Sequence, residues 1–564
     1  MTTTSEHVVF ATEQQVDDAV DALTEGAATW ATMPARARIE LLTATHTAIA
    51  AAAGEWAEAA IVAKGTPRGS LEGEEWMSGP WATLQGFAAI VDSLEKLAAG
   101  KSPVDGARAG TAPGGRTTFR MLPADLYEFN LFNGFSGELW LEPGVAAADA
   151  RKNAGLGAKR LGENGGVGLV LGAGNVSAIG PLDVLYELIA FNRVSLLKLN
   201  PTFAGLLPAY SKALAPMIGA GVLRIVNGGA EIGAYATTHP GVGHVHITGS
   251  QATHDLIVWG SPTDRTDRKL DKPISSELGG VSPIIVVPGK WSTADLRYQA
   301  ENVVTQRFHN SGHNCIAGQA LILSAEWDQK DAFLAAIREV LAELSARDPW
   351  YPRSADKVAA AEAAYPAAES INGRVFVEVD DATSQELFTT EYFGPVLGHT
   401  TLPGLGAEFF ANAVDFANNR LYGTLGASII VAPGDRRAMG DAFDNTLADL
   451  RYGAIGINVW SAIAFLVPAL SWGAYPGNSL ENVGSGIGIV HNSRLLENVE
   501  KSIATGPFRP FPRSVVNGEL ALSPKPGWFV TAKSAKQVAE LLTEFAASPS
   551  WLKMPAIFNH AFRG

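Results

Sequence analysis

A single cysteine, Cys315, stands among 564 residues. One thiol cannot form an internal disulfide, and nothing suggests a cysteine-built metal site or an oxidising compartment. Charge is scarce as well. Asp, Glu, Lys and Arg make up 18% of the chain, below the roughly 25% of average globular sequences, while hydrophobic residues reach 47%. Mean hydropathy is +0.08, so disorder is excluded as the main state. Cations are the scarcer sign, 43 against 57 acidic residues, for a net charge of −14. That excess repels phosphate backbones and anionic lipid, so nucleic acid is not an expected partner. The first residues, MTTTSEHVVFATEQQVDDAVDAL, lack a basic flank followed by an apolar stretch. No secretory signal is read there, and the cytoplasm is the expected compartment.

Long helical apolar runs are missing too. From Tyr452 to Leu480 there is no Asp, Glu, Lys or Arg, a stretch long enough to span a bilayer. Gly453, Gly456, Asn458, Pro468, Gly473, Pro476 and Gly477 interrupt it, and a lipid-exposed helix would leave backbone groups near the prolines unpaired. A buried strand and loop is the expectation, not a membrane segment.

What is present is alternation. Residues 15–60 read as alanine-rich helix, with Val16, Val20, Leu23, Ile39, Leu42 and Ile49 at helical spacing. GKSPVDGARAGTAPGGR (100–116) separates them from Thr117–Leu141, an extended-looking stretch read as exposed strands awaiting a partner. From 166, strands and helices alternate: GVGLVLGAG, IGPLDVLYELIAF, VSLLKL, FAGLLPAYSKALAPMIGAG, VLRIV, AEIGAYATT, GHVHIT and QATHDLIVWG. A doubly wound parallel sheet is the natural reading. A second α/β unit follows, with ISSELGGVSPIIVVPG read as one strand. The final residues are proline-rich, PFRPFPRSVVNGE and PKPGWFV, then a helix SAKQVAELLTEFAAS whose start Ser534 can cap.

Three features can carry chemistry. Cys315 lies in FHNSGHNCIAG, between a helix and a strand; a lone cysteine is usually an inert packing thiol, and its placement in a loop of small polar residues is what points instead to an accessible nucleophile. Glu277, in SSELGGVSP, is either a solvated strand-end residue or, because the two glycines after it let a backbone approach closely, a carboxylate turned into a cleft where it could act on water. HITGS, with Gly249 and Ser250 at a strand-to-helix turn, is either a helix cap or an anion site.

GAGNVSAIGP, LLKLNP, HITGS, SSELGGVSP, FHNSGHNCIAG and EYFGPVL, in this order, resemble the signatures of the aldehyde dehydrogenase superfamily. The resemblance spans about 166–397, with weaker similarity over 15–505. It implies a Rossmann-like cofactor domain (1–116 and 147–275), a second α/β catalytic domain (276–494), a β arm with bridging segments (117–146 and 495–530) that completes a neighbouring subunit's sheet, and a C-terminal extension (531–564). A homodimer or tetramer follows from the arm. It also implies that Cys315 attacks an aldehyde, that Asn175 and the Cys315 backbone N–H hold the oxyanion, and that Glu277 activates water to hydrolyse a thioester. Lys198 and Glu391 would hold the adenosine and nicotinamide riboses of NAD or NADP, Phe393 would lie against the nicotinamide, and Gly249 and Ser250 would meet the pyrophosphate.

Some positions depart from the family pattern. Pro201 replaces a glutamate common in NAD-preferring members, so NADP stays open. Val184 replaces a lysine of the usual proton route, with Asp183 and Glu187 nearby as substitutes. Val281 follows ELGG, and His313 stands two residues before the cysteine, as a loop residue or as an influence on the thiolate. SWGAYPGNSLENVGSG replaces a glycine-rich closing motif. Trp460, Phe465 and Trp472 fall where the family lines its substrate tunnel, and the absence of charge there points to an apolar aldehyde, aliphatic or aromatic. The alternatives are a CoA-acylating relative and a non-catalytic cofactor-binding oligomer.

Overall fold

The computed structural model describes residues 10–380 and 382–564. Glu13–Thr32 and Ala35–Lys64 are two helices, separated where Pro34 removes a donor. Thr12 starts the first by accepting from Gln15 N–H, and Gln15 returns the bond to Thr12 N–H. The second packs on neighbouring helices, and the first packs on a six-stranded sheet with the order Gly486–Ile487, Ile274–Leu278, Val242–Gly249, Val167–Leu171, Val194–Leu199, Leu223–Asn227. Its last five strands run parallel. Val194–Leu199 is buried along its whole length, as a strand with helices on both faces must be. Chain order reverses between Val167–Leu171 and Val242–Gly249, and this switch point opens a crevice at the strand ends. The stretch 203–221, expected as one helix, falls instead in three short ones between 201 and 219, because Pro201, Pro208 and Pro216 each sit in a first turn.

The second sheet has eleven strands: Arg108–Ala112, Arg116–Leu122, Ser136–Leu141, Val499–Thr505, Ala454–Ile457, Gly426–Ile430, Ser282–Val286, Gly318–Ser324, Val396–Leu402, Arg374–Glu378, Glu369–Ile371. The seven from Val499–Thr505 to Arg374–Glu378 are parallel. ISSELGGVSPIIVVPG is therefore two strands, one in each sheet, and Gly279–Val281 is the crossing. The expected boundary at 275/276 shifts accordingly, since the strand that carries Glu277 belongs to the cofactor-type sheet.

The expectation for Thr117–Leu141 also changes. Its strands are not unpaired: Ser136–Leu141 bonds antiparallel to Val499–Thr505, which bonds parallel to Ala454–Ile457 of the same chain. The free edge is Arg108–Ala112, short and solvent-exposed, a form that discourages further pairing. A helix, Leu126–Leu131, capped by Asp125, interrupts the stretch. Unpaired strands thus no longer argue for a dimer.

Residues 452–480 form a buried strand, a four-residue helix and a short strand, and among the described residues no helix is long and apolar enough to cross a membrane. The C-terminal helices Ala535–Ala547 and Met554–Ala561 pack into the core around the six-stranded sheet, so 531–564 is not a separate extension. Ser534 does not cap the first of them. Its hydroxyl donates to His560 O at 2.7 Å and ties the two helices together.

Candidate active site

Cys315 stands between two cavities and is the residue that lines both. On one side the switch-point crevice widens to about 840 Å³, and Asn175, Lys198, Gly249, Ser250, Glu277, Glu391 and Phe393 all line it. On the other lies a narrow apolar tunnel of about 60 Å³ that includes Trp460, Phe465 and Trp472. The eleven residues singled out in the sequence thus gather around one thiol, although they come from both sheets.

The cysteine loop is held in an unusual shape. Asn310, Ser311 and Gly312 take successive left-handed conformations, φ +55°, +56° and +80°, which costs free energy unless the surroundings enforce it. They do. Asn310 N–H donates to Glu74 Oε2 at 3.1 Å, Glu74 pairs with Arg347 at 2.7 Å, and Asn310 Nδ2 donates to the carbonyls of Asn175 and His313, each at 3.0 Å. A Cβ on Gly312 would meet Gly394 O at 2.4 Å, so glycine is required there.

Cys315 Sγ–H donates to Glu277 Oε1 at 3.1 Å. Burial pushes the thiol well above its ordinary pKa, and the negative charge of Glu277 adds to the effect. The carboxyl of Glu277 is likewise pushed up, first by burial. The resting pair is a thiol held by a carboxylate. Asn175 Nδ2 donates to His313 O at 3.0 Å, leaving the second amide hydrogen free.

His313 takes a structural role. Its ring nitrogens bond to Asn310 O at 3.0 Å and Ser354 Oγ at 2.8 Å, and it packs against Tyr351 and Phe393. Burial holds its pKa down at about 3, so it carries no charge to lend the thiol. Val184 is an apolar core residue of the helix Ile179–Phe191. Of its two neighbours, Glu187 is committed to Arg193 at 3.0 Å. Asp183 instead accepts from Thr248 Oγ1 at 3.1 Å and lies 2.9 Å from His491 Nε2, and its charge reaches Glu277. Val281 is core, with its N–H bonded to Tyr422 O at 2.7 Å. Pro201 is exposed and starts a short helix. The unusual closing motif adds an edge: Gly486 pairs antiparallel with Glu277, and a Cβ there would reach Ser276 O at 2.1 Å.

The larger cavity suits an anionic dinucleotide. Lys198 is buried with no carboxylate among the described residues beside it, and burial lowers its pKa to about 8. One Glu391 oxygen lacks a hydrogen-bond partner, and burial lifts that carboxyl to about 7. A Cβ on Gly279 would sit 2.1 Å from the same oxygen, so the glycine makes room for the carboxylate. Ser250 spends its hydroxyl on Thr253 N–H at 3.3 Å, as cap of the helix Gln251–Trp259, which leaves first-turn N–H groups facing the cavity mouth. Phe393 adopts φ +41° and packs on Tyr351, ring centroids 5.0 Å apart.

Sequence reasoning missed Tyr351, Arg353 and Lys357, which line this cavity from ARDPWYPRSADK. An aromatic and basic cluster around two prolines was the available signal. It also missed His309, Met77 and Trp528 in the tunnel wall. There Trp460 Nε1–H donates to Ile316 O at 3.2 Å and so braces the residue beside the cysteine.

Comparison with known proteins agrees with this geometry. A mutant of aldehyde dehydrogenase C from Pseudomonas syringae, solved with NAD+ and octanal, superposes with a TM-score of 0.60 at 20% identity, over 89% of this chain and 90% of that one. The NADP-dependent glyceraldehyde-3-phosphate dehydrogenase of Bacillus halodurans C-125, solved with NADP, gives 0.58 at 19% identity, over 87% and 91%. At these identities the likeness is one of fold. In sequence, aminoacetaldehyde dehydrogenase of Pseudomonas aeruginosa is 31% identical over 228 residues, 36% of this chain and 43% of that enzyme, so the match spans less than half of the curated relative's length. Residues 202–364, which hold Glu277 and Cys315, match the sequence model of the aldehyde dehydrogenase family.

Proposed function

We propose that the protein oxidises an apolar aldehyde to the carboxylic acid with NAD or NADP, through a thioester on Cys315. One observation carries the reading: a thiol bonded to a buried carboxylate separates a cavity of about 840 Å³, with Lys198, Lys269, Arg353 and Lys357 in its wall, from an apolar tunnel. Lys198, Glu391 and the first turn of Gln251–Trp259 would hold the cofactor, with Phe393 against its reactive end. When bound, the nicotinamide accepts the hydride that turns a thiohemiacetal into a thioester.

The rest is the work of this chain. Glu277 Oε1 takes the thiol proton as Cys315 Sγ attacks the carbonyl carbon, and the free amide hydrogen of Asn175 meets the oxygen where charge develops. Glu277, once deprotonated, then takes a proton from the water that cleaves the thioester. Asp183, next to Val184 in sequence and bonded to Thr248 and His491, supports a route by which that proton passes outward in place of the missing lysine.

The test follows absorbance of reduced nicotinamide with hexanal, benzaldehyde and a semialdehyde carboxylate, with NAD and NADP side by side, for wild type and Cys315→Ala. Turnover by wild type alone, faster on the apolar aldehydes, is expected. Rates no better than on the semialdehyde sink the substrate preference. A large CoA-dependent increase with acyl-CoA as product moves the reading to the acylating class, and silence with every aldehyde moves it to the binding-protein class.

A further inference from the structure

We infer that the C-terminal segment builds an acyl-chain chamber beyond the cysteine tunnel, so that the substrate class is a long-chain aliphatic aldehyde. The inference rests on the reading of Cys315 and its tunnel given above. A cavity of about 390 Å³ lies between residues 130–135 of the arm and residues 522–562, within the range of about 300–1,000 Å³ of small-molecule sites. Met77 and Trp528 line both this chamber and the tunnel, and so form the partition between them. Trp528 is half-buried and meets Phe135 edge-on, with ring centroids 5.8 Å apart.

Volume decides what the tunnel can take. At about 60 Å³ it admits the reacting end of an aldehyde and little more, so a longer chain must continue past Met77 and Trp528. What it meets is mostly carbon, including Leu131, Phe132, Leu542 and Phe558. Each polar side chain there already has a partner within the chain. Asn133 Oδ1 accepts from Leu522 N–H at 2.8 Å, Ser523 Oγ donates to Asn133 O at 2.6 Å, and Lys525 bonds to Thr531 O at 3.2 Å and lies 3.5 Å from Glu301. Asn130 Nδ2 donates to Leu126 O at 2.7 Å. The one cation lining the chamber among the described residues, Lys525, is already paired with Glu301, while methylenes find an apolar wall.

The wall is fixed rather than a loose tail. Lys536 pairs with Glu72 at 2.7 Å, Gly73 lets the start of Ala535–Ala547 approach so closely that a Cβ would lie 2.6 Å from Ala535 C, and Ser534 ties that helix to the last one. PKPGWFV, unexplained in the sequence, is the turn that delivers Trp528 to the partition.

The experiment measures kcat/KM for saturated aldehydes from butanal to tetradecanal, and binding of cis-parinaric acid by fluorescence, which needs no turnover. Wild type, Ala561→Trp and Asn130→Trp are compared. Both positions line the chamber and not the tunnel beside Cys315, and Asn130 is surface-exposed, so its variant folds even if the other does not. In wild type kcat/KM should rise about fourfold per methylene past hexanal until the chamber fills. The variants should keep hexanal rates, lose at least about tenfold on tetradecanal, and bind parinarate correspondingly weakly. Hexanal turnover with a flat profile to tetradecanal, or variants that match wild type in both readouts, overturns the chamber and leaves the proposed function standing. Silence with all aldehydes, with parinarate bound by wild type and not by the variants, overturns the dehydrogenase reading and keeps the chamber.

Discussion

Glu277→Gln keeps the side chain's shape and removes its basicity, which makes it the sharpest probe of the thiol–carboxylate pair. Oε1 accepts from Cys315 at 3.1 Å, and the other oxygen, Oε2, has no hydrogen-bond partner among the described residues. Burial disfavours charge on either group, so one proton is shared by two sites and the resting thiol is protonated. A general base contributes about 10²–10⁴ in rate, or about 3–5 kcal/mol of barrier, and the variant should lose that much turnover at neutral pH. The pH dependence gives the sign. The wild-type rate falls as pH drops through the raised Glu277 pKa, because the protonated carboxyl accepts nothing. The variant depends on direct ionisation of a thiol whose pKa burial, the first cause of its elevation, still holds above the ordinary value. Its rate should therefore climb about tenfold per pH unit where the wild type is flat, and the gap should narrow as pH rises. Stopped-flow formation of reduced nicotinamide, compared with steady state, reads both steps. A variant within about a factor of three of wild type at neutral pH, or one with an unchanged profile, would refute the pairing.

Asn175→Ala should lower kcat about 10²–10³-fold with little change in KM, and its lost bond to His313 O should cost about 1 kcal/mol in thermal unfolding; a kcat within about threefold of wild type removes the oxyanion role. Gly279→Ala puts a carbon 2.1 Å from the Glu391 carboxylate, so titration of reduced-nicotinamide fluorescence should show at least about tenfold weaker binding in a folded protein, and equal affinity would count against Glu391 as a cofactor contact. Lys198 has a pKa lowered to about 8 from 10.5; an adjacent anion favours its charged form, so dinucleotide binding should take up a proton and weaken as pH rises through about 8. Calorimetry in two buffers checks that uptake, and Lys198→Met should abolish it. Because the arm strands pair within the chain, the melting temperature should not depend on protein concentration, and a rise on concentration would show that a second copy completes the fold.

The legible part of the fold was the part with strong local pattern. IGPLDVLYELIAF, VSLLKL and AEIGAYATT are Ile179–Phe191, Val194–Leu199 and Ala230–Thr238 without a residue's shift, because glycine, asparagine or proline bounds each apolar period. What failed was non-local. An apolar run such as ISSELGGVSPIIVV carries no mark of which sheet each half joins, and Thr117–Leu141 does not state that its partner is Val499–Thr505, hundreds of residues later in sequence. Ser534 has the right residue type for a cap, and a tertiary partner, His560 O, outbid the local one. At the site, residue types placed Cys315, Glu277 and Asn175 in one chemistry. The neutrality of His313 depends on burial beside Ser354, Tyr351 and Phe393, which no spacing reveals.

The crossing at Gly279–Val281 explains why the reactive pair is built across two sheets. Glu277 is fixed by parallel pairing to Thr248 on one side and antiparallel pairing to Gly486 on the other. Cys315 belongs to a loop ahead of Gly318–Ser324, which pairs with Ser282–Val286. Only four residues lie between Glu277 and Ser282, so the strand that carries the base leads directly into the strand that neighbours the nucleophile's own. Any rotation of one sheet against the other would open the 3.1 Å contact, and the short crossing limits that rotation. Gly280 sits where a Cβ would approach Tyr422 O at 2.9 Å and Ser485 Oγ at 3.0 Å. The two glycines therefore serve different ends: Gly279 leaves room for Glu391 beside the cofactor cavity, and Gly280 lets the crossing pass under the closing segment that braces Glu277.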